Sequence, residues 1–83
     1  MSINRAALEK AIAMLEQAGP AITARQIMAA AANIDRAIAP GTYALLKQTP
    51  TGMQRDESTG KQYQDYTVTA EDIAAYIAAL KTL

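Results

Sequence analysis

Residues 23–48 read TARQIMAAAANIDRAIAPGTYALLKQ, and the rest of the chain is organised around them. Thr23 followed three residues later by Gln26 is a capping box, in which two side chains satisfy free amides at the start of a helix. Ile22, just before it, can staple onto Ile27. Ile27, Ala31, Ile34 and Ile38 then recur at helical spacing. They form one apolar stripe if the helix runs on to about Ile38. The alternative is a turn at Asn33, and the residues alone leave both open. Pro40-Gly41 is a strong break. Beyond it, Thr42 to Gln48 predicts a short helix carrying Tyr43, Leu45 and Leu46, closed by Pro50 and Gly52.

Upstream, a helix is expected from Asn4 to Ala18, capped by Ser2 or Asn4. Leu8, Ala11, Ile12, Leu15 and Ala18 make its buried stripe. Gly19-Pro20 ends it, because Gly tolerates the left-handed closing conformation and Pro cannot continue the ladder. Downstream, Met53 to Val68 predicts a β-hairpin. Its tip is Asp56-Glu57-Ser58-Thr59-Gly60, with Gly60 supplying a positive φ. On the return strand Gln62, Gln64, Tyr66 and Val68 share one face, Tyr63, Asp65 and Thr67 the other. Tyr66 and Val68 are the expected inward pair. A last helix is expected from about Ala70 to Lys81, started by Thr69 with Asp72, with Ile73, Tyr76, Ile77 and Leu80 as its core stripe. The fold class is therefore α+β, mostly α with one β-hairpin, in the order helix, helix, short helix, hairpin, helix.

The 83 residues suit one small domain spanning 1–83. Half of them are hydrophobic, but many are Ala, which favours helix while burying little area. Such a chain can pack helices closely and still lack apolar mass, and dimerisation is one remedy. Cys and His are both absent, which removes disulfides, thiolate metal sites and the commonest general base. No apolar run reaches the ~20 residues needed to span a bilayer. MSINRAALEK lacks the basic-then-apolar pattern of a signal peptide. A soluble cytoplasmic protein without membrane contact is the expectation.

Net charge is zero, yet the halves differ. Residues 1–48 carry Arg5, Lys10, Arg25, Arg36 and Lys47 against Glu9, Glu16 and Asp35, an excess of +2. Residues 49–68 and 69–83 are each at −1. Catalytic spacing is absent: no Ser or Thr stands in a nucleophile-and-base pattern. Asp56, Glu57 and Asp65 lack the alternation of a calcium loop. Gly41, Gly52 and Gly60 are isolated, so no phosphate-cradling loop forms. No catalytic residue, cofactor or metal ligand is expected.

The element order resembles the winged helix-turn-helix DNA-binding superfamily. Three stretches carry the resemblance: Thr23-Ala24-Arg25-Gln26-Ile27 as the start of the positioning helix, Thr42-Tyr43-Ala44-Leu45-Leu46-Lys47 as the recognition helix, and Gly60-Lys61-Gln62-Tyr63 as the wing. It implies a small transcriptional regulator bound to double-stranded DNA. The Thr42–Gln48 helix would enter the major groove, with Thr42, Tyr43 and Lys47 reaching bases or phosphates. Arg25 would contact the backbone, Arg55 and Lys61 the adjacent groove or phosphates, and Arg36 completes the set of candidate cations. Read on their own, Arg25, Arg36 and Lys47 are ordinary solvated cations. Tyr63 and Tyr66 are ordinary cross-strand packing residues, and Tyr43 and Tyr76 core-edge residues with wet hydroxyls.

The competing expectation is a non-enzymatic protein–protein interaction module: an adaptor, an assembly subunit of a phage or mobile element, or an inhibitor. Zero net charge and abundant Ala fit it. The hairpin followed by Thr69-Ala70-Glu71-Asp72-Ile73 is also similar to small phage head–tail joining proteins over the last third of the chain. Here the contact surface would be Tyr63 with the Arg55–Lys61 tip. A homodimer or partner contact would use the terminal helix through Tyr76, Leu80 and Leu83.

Overall fold

Two reciprocal caps and one glycine stop set the helices. The computed structural model describes residues 3–83, the side chain of Pro20 apart. Helix α1 is Arg5–Ala18, with the Asn4 side chain accepting from the Ala7 amide at 3.2 Å. Ser2, the other candidate cap, lies outside the described residues. Gly19 (φ 53°) closes α1 and opens a 3-10 turn over Gly19–Ala21. Helix α2 is Ala24–Ala37, with both halves of the Thr23/Gln26 capping box formed. It is one continuous helix. No described non-glycine residue has a positive φ, so Asn33 does not break it. Helix α3 is Ala70–Lys81, again with a complete capping box between Thr69 and Asp72.

Between α2 and α3 the chain forms strands β1, Thr49–Arg55, and β2, Gln62–Thr67, paired antiparallel. Gln54 faces Tyr63, Met53 faces Gln64 and Pro50 faces Tyr66, with a bulge between Pro50 and Gly52. The Gln64 side chain donates to the Gly52 carbonyl beside the bulge at 3.0 Å. At the tip the Asp56 carboxylate accepts from the Ser58 amide and hydroxyl, which holds its pKa below the usual carboxylate value. Gly60 takes φ 72°, as the turn requires. The strand begins four residues earlier than the sequence predicts. Pro50 disfavours helical backbone at Thr49, so extended chain starts there. A two-stranded sheet consists only of edges, where a proline's missing donor is tolerated.

The observed class is α+β, in the order helix, helix, hairpin, helix. The core is made by Leu8 and Leu15 of α1, Ile27, Ala31 and Ile34 of α2, Tyr76 and Leu80 of α3, and Ala39 and Leu46 from the connection. Ile12, Ile73, Ile77 and Val68 pack against it partly buried. The Asn4 amide donates to the Ile38 carbonyl at 3.0 Å, tying the start of α1 to the end of α2. Glu16 and Lys81 form an ion pair at 3.0 Å between α1 and α3, half-exposed and so worth roughly 0–1 kcal/mol. The hairpin is an arm. Every residue of β1 is exposed, and β2 is half-buried only from Gln64 to Tyr66. The radius of gyration, 13.9 Å, exceeds the ~12 Å of a compact chain of this length accordingly.

Tyr76 corrects an expectation. It is not a core-edge residue with a wet hydroxyl. It is fully buried, at 0% exposure, and its hydroxyl has no protein partner among the described residues. Burial, with a contribution from the Asp35 charge, pushes its pKa from 10.0 up to about 12. In the unfolded chain the phenol ionises first. The stability tied to this group is therefore complete below pH 10 and falls as pH rises toward 12. Tyr76→Phe keeps the ring's packing and removes an unpaired polar atom. We expect stability in urea at pH 7 to be unchanged or higher by about 1 kcal/mol, with the alkaline decline flattened. A loss of about 2 kcal/mol or more would mean the hydroxyl is hydrogen-bonded after all.

Candidate functional site

Segment 42–48 is not the helix its sequence predicts. Only Tyr43–Leu45 is helical, as one 3-10 turn. A seven-residue stretch behind Pro40-Gly41 is too short to repay helix nucleation alone, and tertiary contacts claim its ends. Thr42 is 5% exposed, its hydroxyl donating to the Ala39 carbonyl at 2.7 Å. The Tyr43 amide donates to the Asp35 carboxylate of α2 at 2.8 Å, and its hydroxyl donates to Gln48 at 3.4 Å. Leu46 is buried in the core. Thr42 is thus withdrawn from any external contact, and Tyr43 is half-buried against an acidic group.

The candidate cations are all exposed but are spread over α2, the residue after the 3-10 turn and the hairpin. Arg25 is in the first turn of α2 and Arg36 in its last, roughly 16 Å apart at the helical rise of 1.5 Å per residue. Lys47 follows the 3-10 turn, and Arg55 and Lys61 flank the tip of the arm. Among the candidate partner contacts, Tyr63 stands exposed on the arm. Tyr76 and Leu80 do not face a partner: they are 0% and 1% exposed. Leu83 is half-buried against the same core. With so few large apolar side chains, the inner face of α3 is consumed by the chain's own packing.

What the sequence reading missed is a groove between α1 and α2. Its floor is Ala7, Ala11 and Ala18 on one side and Ala30, Ile34 and Ile38 on the other, and it encloses about 520 Å³. Ala18, placed by periodicity in the buried stripe, is exposed here. Met14 stands at the rim, 69% exposed. Lys10, Gln26 and Asn33 supply the polar edge, and Lys10 is the only charged side chain in the described lining. The signal was present in the sequence: Ala7, Ala11, Met14 and Ala18 lie at i, i+4, i+7 and i+11, a second stripe beside Leu8 and Leu15. A smaller cleft, about 440 Å³, opens on the other side of Leu15 and Ile22 against Val68, Ile73 and Ile77.

Among the described residues no three carboxylates converge as a metal site, and no helix is long and apolar enough to cross a membrane. No family model matches the chain, and neither the curated proteins nor the solved structures contain a match to it.

The Asp35–Tyr43 bond fixes the connection between α2 and the arm. Asp35→Ala leaves the half-buried Tyr43 amide unpaired and is expected to cost about 1–3 kcal/mol in chemical denaturation. A cost below about 0.5 kcal/mol would show that Leu46 alone anchors the turn.

Proposed function

We propose that this chain is a non-enzymatic protein-interaction module that seats an apolar helical segment in the groove between α1 and α2. The observation that carries the reading is Met14. A large apolar side chain is left 69% exposed at the edge of an alanine-floored depression that the chain's own core does not fill. Helix-in-groove recognition works through such surfaces, because apolar anchors spaced along one helix face bury together in a single trough. Alanine walls let two backbones approach closely, so dispersion contacts accumulate along the whole contact. Zero net charge and a single lining cation favour an apolar partner over a polyanion.

Duplex binding of the winged-helix kind is the second reading. It is favoured by Arg55 and Lys61, two exposed cations at the end of a projecting arm. It ranks lower because the segment meant to read bases is a three-residue turn with Thr42 buried.

One experiment separates them. A photo-crosslinking residue replacing Lys10, exposed on the groove edge, is expected to give a discrete protein adduct in cells. Met14→Glu should abolish it, and the same probe at Thr59 on the arm should not produce it. Labelled duplex at low salt should show no saturable binding. Equal adducts from both positions, with duplex binding that weakens in Arg55→Ala and Lys61→Ala, would reverse the ranking.

A further inference from the structure

We draw no further inference here: the strongest candidate, the apolar cleft of about 440 Å³ at the base of the arm, where Leu15 and Ile22 stand opposite Val68, Ile73 and Ile77, carries nothing because nothing in the structure shows what covers it.

Discussion

The burial of one aromatic ring organises the molecule. Tyr76 lies at 0% exposure with Ile27 and Leu80, and these are the largest fully buried side chains. A chain in which Ala replaces most large apolar residues can fill only one such centre. Each fully buried side chain of this size contributes about 1.5–3 kcal/mol, and a domain this small has few of them to lose. The helices therefore arrange themselves to enclose Tyr76. Leu8 and Leu15 approach from α1, Ile27, Ala31 and Ile34 from α2, and Leu46 is drawn in from the connection.

That choice has two consequences at the surface. With the large side chains spent on one side, α1 and α2 turn their alanine stripes outward on another, and the groove beneath Met14 is what remains between them. The hairpin receives almost no share of the core. Its strands pair with each other, Val68 at its base reaches the core, and the rest stands out as an arm. Groove and arm are the two surfaces that the core leaves uncovered, and both follow from the same shortage of apolar mass.

Local chemistry was legible in the residues. Thr23/Gln26 and Thr69/Asp72 name their helix starts, Gly19 and Pro40-Gly41 name the breaks, and Asp56 to Gly60 names the hairpin tip, because each acts over three or four residues. Periodicity also found Leu8, Leu15, Ile27, Ile34 and Leu80 as inward positions. What escaped depends on contacts distant in sequence. Nothing in Thr42–Gln48 says that Asp35 will take the Tyr43 amide or that Leu46 will be pulled inward, yet those contacts leave a single 3-10 turn. An alanine stripe is equally compatible with a buried seam and an open one. Ala11 and Ala18 thus read alike as core, yet only Ala11 packs against it while Ala18 is exposed. Periodicity also placed Tyr76 in the core stripe of α3 and Tyr63 on the hairpin; what it could not show is that the Tyr76 hydroxyl is buried along with its ring.

The central claim is that one core, centred on Tyr76, holds the helices while the arm stands apart from it. Amide hydrogen exchange under native conditions reads this directly, since protection follows burial and cooperative packing. The account predicts the slowest exchange along Ile27–Ile34 and Ala75–Leu80, with amides of residues 49–67 opening far more readily than either helix. Protection in the arm equal to that of α2 and α3 would contradict it, because the hairpin would then belong to the same cooperative unit as the core.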